Sequence, residues 1–148
     1  MKTLERQLST ACKNCDSRCC TSKYEKLFVI LIPKEEKRFG KYSRTIKTKY
    51  RSLKVLKTNR KRECIFLDSK KHNCKIYKNR PFECKVYPCF IYYDKKHRKV
   101  IYKADKKICP FIRHLSQKQL EYSLKEKQKK WLKQHLPLDW IKAYLETP

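Results

Sequence analysis

The sequence predicts a small α+β domain in which short strands and terminal helices surround a cysteine metal centre. Nine cysteines stand in an ordered array that opens as Cys12-x2-Cys15-x3-Cys19-Cys20 and continues through Cys64, Cys74, Cys84, Cys89 and Cys109. Hydrophobic residues make up 40% of the chain, with ten tyrosines, six phenylalanines and two tryptophans, which is core material enough to fold despite the charge. Helical apolar spacing is confined to the two ends, while the apolar runs between them are short and strand-like. At 148 residues a single domain, 1–148, is expected. Its cysteine core would span 12–109 and a helical segment 116–146, and at this size a metal staple would matter.

Leu4 and Leu8 at helical spacing predict a short helix leading into the first cysteines. The run Leu27-Phe28-Val29-Ile30-Leu31-Ile32, closed by Pro33, reads as a buried strand. Pro33 can open a helix through Phe39, with Gly40, the only glycine, placed to end it. Leu53, Val55 and Lys57 alternate as a strand does, whereas Thr45 to Lys49 fits strand or loop. Cys64 to Asp68 and Cys74 to Tyr77 read as two extended pieces joined by a polar turn. In Asn79-Arg80-Pro81-Phe82-Glu83-Cys84, Asn79 or Arg80 would cap and Pro81 open a helical turn. That turn would hold Cys84 near free backbone amides, a setting that lowers a thiol pKa. Phe90 to Tyr93 and Val100 to Tyr102 predict a β-hairpin that returns the chain to Cys109. Ser116-x2-Gln119 matches a capping box for a helix carrying Leu120, Leu124 and Trp131, and a last helix is expected over Leu138 to Leu145 after Pro137.

Forty Lys and Arg against 14 Asp and Glu give a formal charge of +26. Eight thiolates holding two divalent ions would lower it only to about +22, so the surface stays basic whatever the cysteines do. Such a field attracts nucleic acid or acidic protein at long range without defining a dedicated site, and the lysines from Lys125 to Lys130 read most simply as a solvated helix face. Lys13, Arg18 and Lys85 adjoin cysteines and would favour their thiolate forms. No apolar run approaches the roughly 18 residues of a membrane span, and the first residues lack the apolar stretch of a secretory signal. The expected place is therefore the cytoplasm, where clustered cysteines are more often metal ligands than disulfides. A chain with one glycine also cannot build the glycine-rich loops of nucleotide-dependent kinases or Rossmann dehydrogenases.

Cys12-x2-Cys15 is a knuckle whose sulfurs can face one ion, and the step to Cys19 is about one helical turn. Cys20 differs, because adjacent side chains diverge on a helix or a strand. The Cys19-Cys20 pair is thus expected to serve two neighbouring metals, or to place one sulfur on a metal and the other just outside it. Ligands from Cys64, Cys74, Cys84 and Cys109 would relieve the strain of closing a site within the first cluster alone. Eight thiols suffice for two four-cysteine sites, a shared binuclear centre or an iron–sulfur cluster, and spacing does not separate zinc from iron.

Those cysteines, together with Cys64-x-Phe66-Leu67-Asp68, Cys74-x-Ile76-Tyr77, Arg80-Pro81-x2-Cys84 and Tyr87-Pro88, resemble the YkgJ-type cysteine cluster proteins, also named for their CxxCxxCC motif. The likeness spans most of residues 12–109. It implies chelation of zinc or iron, free or in an iron–sulfur cluster, by Cys12, Cys15, Cys19, Cys20, Cys64, Cys74, Cys84 and Cys109, with Cys89 supernumerary. This chain departs from the pattern in having three residues rather than two before the Cys-Cys pair, and in lacking the glycines that often accompany the last cysteine.

Similar arrays in flagellin lysine N-methylase-like proteins imply an alternative, an iron–sulfur-dependent enzyme using S-adenosylmethionine. A basic nucleic-acid-binding module stapled by metal is a further alternative. Whether the chain is an enzyme is left open by its residues. His72, His97, His114 and His135 are scattered among basic residues and read as surface or packing histidines, and Asp68 as a turn residue. Arg80 is expected beside the thiolates, balancing their charge.

Overall fold

The computed structural model describes residues 10–12, 15–21, 29–87, 89–94, 96, 99–104, 109–116, 118–119 and 136–145. The expected N-terminal helix at Leu4 and Leu8, and the helix through Leu124 and Trp131 with its lysines, lie outside them. The architecture is α+β: among the described residues, the helices with defined bounds are α1 (Pro33–Phe39), α2 (Phe82–Val86) and α3 (Leu138–Leu145), and the strands pair in three antiparallel two-stranded ladders. Among the described residues no helix is long and apolar enough to cross a membrane.

Residues 29–32 form the middle of the core. Ile30 bridges Val55, Leu31 N donates to Lys54 O at 2.9 Å, and Val29 O accepts from Leu56 N at 2.9 Å. The segment is extended as expected, but it makes rungs rather than a full strand because Pro33 turns it at once into α1. It lies along β2 (Ser52–Leu56), which pairs on its other ladder with β1 (Ser43–Lys47) in the register Ser43↔Leu56 to Lys47↔Ser52. Thr45 to Lys47 are therefore strand, and the hairpin turn is closed by Thr48 Oγ1 donating to Arg51 O at 2.8 Å.

Alternation then sorts the side chains into two layers. Ile30, Ile32, Leu53 and Val55 face α3, where they bury Trp140 and Ala143. Val29, Leu31 and Leu56 face the opposite way, packing on Phe39, Leu67 and Cys64. Because both faces are covered, the sequence there is continuously apolar instead of alternating. Cys20, Cys64 and Cys84 thus pack on the side of this layer away from α3.

Gly40 does not stop α1 in a left-handed conformation. Its φ is −50°, and the chain continues into a 3₁₀ turn, Gly40–Tyr42. A Cβ there would meet nothing within 4 Å, so the position has no steric need for glycine. Beyond β2, β3 (Leu67–Asp68) and β4 (Asn73–Cys74) form a two-residue ladder whose turn carries His72 at φ 50°. Asp68 Oδ1 accepts from Lys70 N and Lys71 N, the turn role expected of it. Tyr77–Asn79 is 3₁₀, and Pro81 is itself the N-cap of α2 instead of its first residue. Pro81 cannot cap with a side chain, so the free amide of Phe82 is taken by Glu35 Oε1 of α1 at 2.8 Å. β5 (Cys89–Asp94) and β6 (Lys99–Ala104) form the expected hairpin, Cys89 opposite Ala104. Ser116 and Gln119 exchange the expected capping bonds, Gln119 N donating to Ser116 Oγ at 3.2 Å and Ser116 N to Gln119 Oε1 at 2.9 Å.

Candidate metal centre

Short backbone contacts, turns and one serine side chain position the cysteines. Cys15 N donates to Cys12 O at 3.4 Å, closing the knuckle. Ser17, buried and held at φ 59°, reverses the chain into a 3₁₀ turn, Arg18–Cys20, and its Oγ donates to His72 O at 2.6 Å, tying that turn to the β3–β4 loop. Thr21 bridges Glu63 and Cys64 N donates to Cys20 O at 2.8 Å, so Cys20 and Cys64 are neighbours across a short antiparallel contact. Cys74 stands opposite Leu67 in the β3–β4 ladder, and α2 carries Cys84 against the same core as Cys20 and Cys64. Cys109 opens the 3₁₀ turn Pro110–His114 and packs with Ile112 and Phe111.

All eight predicted ligands are free thiols. The structure also brings them within electrostatic reach of one another. Burial pushes Cys64, Cys74, Cys84 and Cys109 up, and neighbouring sulfurs add to each: Cys74 and Cys19 for Cys64, Cys19 for Cys74, Cys64, Cys19 and Cys74 for Cys84, Cys12 and Cys15 for Cys109. Cys12 is raised by burial and by Cys19, against Tyr77 and Arg80, which lower it. Such a set holds its protons in isolation and sheds them readily only to a cation that replaces them.

Adjacent cysteines do not diverge here. In the 3₁₀ turn the Cys19 and Cys20 sulfurs are 3.8 Å apart and share a hydrogen bond. That contact with Cys20 holds the Cys19 thiol below its ordinary range, while the same contact and burial push the Cys20 thiol up. A tetrahedral ion with bonds of about 2.3 Å spaces its sulfurs by about 3.8 Å, so the pair fits a metal edge. Among the described residues no three His, Cys, Asp or Glu side chains stand in closed chelating geometry.

Cys84 corrects one expectation. Its thiol is pushed well up, first by burial and then by Glu83, because a five-residue helix offers little dipole against an apolar enclosure. The expected cations change as well. Arg18 Nε is paired with Asp16 Oδ1 at 2.8 Å, Lys85 is exposed, and Lys13 lies outside the described residues. Arg80 stands beside the thiols as expected: its guanidinium lies 4.1 Å over the Tyr77 ring and lowers Cys12, Cys19 and Cys74. The Tyr77 hydroxyl is buried without a closed hydrogen bond and lies beside Cys12, whose thiolate it favours.

Two carboxylates escaped the sequence reading. Glu35 links α1 to α2, its Oε2 accepting from Ile32 N at 3.3 Å while Oε1 holds Phe82 N. Glu83 Oε2 accepts from Ile30 N, and Tyr144 Oη donates to Oε1 at 3.3 Å, so this residue joins α2 to the core segment and to α3. Burial raises both carboxyls, Glu83 to about 8. The only signal was the Pro33-x-Glu35 pattern of a helix start; the partners of both are distant in sequence. His72 is exposed in its turn, His97 and His135 fall outside the described residues, and the Cys89 backbone lies in β5.

No curated protein and no solved structure matches the chain. A family model, described as "CxxCxxCC: Putative zinc- or iron-chelating domain", matches residues 11–134 and so takes in all eight cysteines. With the family model matching residues 11–134 of 148, this chain belongs to the family described as the CxxCxxCC putative zinc- or iron-chelating domain.

Proposed function

We propose that the protein is a thiolate chelator that holds zinc or iron through Cys12, Cys15, Cys19, Cys20, Cys64, Cys74, Cys84 and Cys109. The observation that carries this reading is the gathering of eight free thiols from five separate chain segments, with Cys19 and Cys20 at the sulfur spacing of a metal tetrahedron. Packing alone gives no reason to set so many raised thiols against each other, since each pair repels once ionised.

The chain's own groups prepare the site. Ser17 and the Cys20–Cys64 backbone bond fix the first cluster against the second, and Glu35 anchors the helix that carries Cys84. Arg80 and Tyr77 favour thiolates on the Cys12 side. A bound ion supplies the positive charge that lets the thiols ionise and cross-links the segments. Elemental analysis and the visible spectrum of anaerobically purified protein test the reading. Stoichiometric zinc without colour, or iron with broad brown absorbance, is the expected result; a colourless protein without stoichiometric metal would refute it.

A further inference from the structure

Two exposed turns carry charge that chelation does not use. In the first, Arg60-Lys61-Arg62 form a tip closed by Asn59 and Glu63. Asn59 N donates to Glu63 O at 2.8 Å, Asn59 Oδ1 accepts from Lys61 N and Glu63 N at 2.9 Å, and Asn59 Nδ2 donates to Glu63 Oε2 at 2.9 Å. In the second, Lys70 N and Lys71 N donate to Asp68 Oδ1 at 3.1 Å, and His72 O accepts from Ser17 Oγ at 2.6 Å. Ser69 Oγ donates to Glu63 Oε2 at 3.1 Å and so ties the two turns together. The carboxylates here hold turns closed more than they balance cations. Arg60, Lys61, Arg62, Lys70 and Lys71 are exposed, and among the described residues none of the five closes an ion pair, although Lys61 bears electrostatically on Glu63. Arg62 stands at φ 61°, a left-handed conformation that glycine or asparagine adopts more readily, so a long cationic side chain is kept where the backbone favours a small one.

We propose that these two linked turns are a docking surface for the phosphodiester backbone of nucleic acid, which they grip through Arg60, Lys61, Arg62, Lys70 and Lys71 without reading base sequence. Three features favour that partner. The tips, Asn59 to Arg62 and Ser69 to His72, hold no apolar or aromatic side chain, so they offer neither a wedge for a lipid surface nor the anchor that a protein interface is built around. The hydrogen-bonded turns fix where their cations start from, which suits a polymer whose phosphates are regularly spaced and gains nothing on fluid headgroups. Two of the five are arginines, whose planar fork matches a pair of phosphate oxygens. The absence of an aromatic platform on the tips also removes base stacking, leaving contacts that position the chain on any sequence. This surface is separate from the lysines of Lys125 to Lys130, which lie outside the described residues.

The test measures fluorescence anisotropy of labelled duplex DNA and duplex RNA, each of about 20 base pairs, titrated with the full chain across a salt series. The turn variant changes Arg60, Lys61, Arg62, Lys70 and Lys71 to glutamine; a control variant changes the exposed Lys34, Lys37, Lys47, Lys96 and Lys118 to glutamine and so loses the same net charge. The turn variant should bind DNA about a hundredfold more weakly than wild type at about 100 mM salt, with a salt slope shallower by about three or more, while the control stays within about fivefold. Arg62→Gly suits the left-handed backbone, so it keeps the fold while lowering the slope by about one. A preference for DNA or for RNA would name the polymer, and equal binding would mark pure backbone contact; either agrees with the proposal. Equal losses in the two five-residue variants would reduce the effect to net charge and overturn the proposal, as would wild-type affinity in the turn variant or no binding by the wild type. Tighter binding to vesicles of phosphatidylcholine with about one-third phosphatidylserine, lost in the turn variant, would reassign the surface to a membrane. Metal content is measured on the same samples, and its absence would count against chelation alone.

Discussion

Replacing Glu83 by glutamine should abolish a pH dependence of stability that the wild type carries. The carboxyl of Glu83 is enclosed between Ile30 N and Tyr144 Oη, and burial lifts it to about 8 from an ordinary 4.5. A raised folded pKa means that the folded protein keeps a proton which the unfolded chain releases. The stabilising contribution is therefore complete below about pH 4.5 and is lost as the pH rises through about 8. Linkage makes the loss about 1.4 kcal/mol per pH unit between those limits, and about 2 kcal/mol from pH 6 to pH 8, where the slope flattens. Glutamine is neutral throughout, and it can still accept from Ile30 N and donate to the Tyr144 hydroxyl. Urea unfolding of wild type and Glu83→Gln, both without added metal, at pH 6, 7 and 8 measures the effect. The variant should gain about 2 kcal/mol on the wild type across that range. An unchanged slope, or an equal loss of stability at pH 6 and pH 8, would refute the assignment of a protonated carboxyl to this position.

Arg80→Met should weaken zinc binding roughly tenfold in a chelator competition, because it removes the cation acting on Cys12, Cys19 and Cys74. Ser17→Ala deletes the 2.6 Å bond to His72 O, and urea unfolding should register a loss of about 1 kcal/mol. Leu31→Ala empties a fully buried site between α1 and the cysteine layer, so about 2–5 kcal/mol should be lost in the same assay. Leu138→Ala, at a residue 66% exposed, should stay within about 0.5 kcal/mol and serves as its control.

By itself the sequence determined the local events. The α3 bounds, the β5–β6 hairpin pairing and the Ser116–Gln119 cap depend on neighbours a few residues away, and their signals are correspondingly plain. The cysteine array was legible for the same reason, since ligand spacing is a short-range pattern. Gly40 misled because a helix can run into a 3₁₀ turn without a left-handed residue, and Cys84 because a helix start says nothing of what encloses it. Only the tertiary structure decided which thiols meet, that Cys19 and Cys20 face one another, and that Glu35 and Glu83 serve the centre from afar. Those outcomes depend on burial and on partners about 40 to 60 residues apart, and no pattern along the chain encodes the dielectric or charge a side chain meets once the layers close.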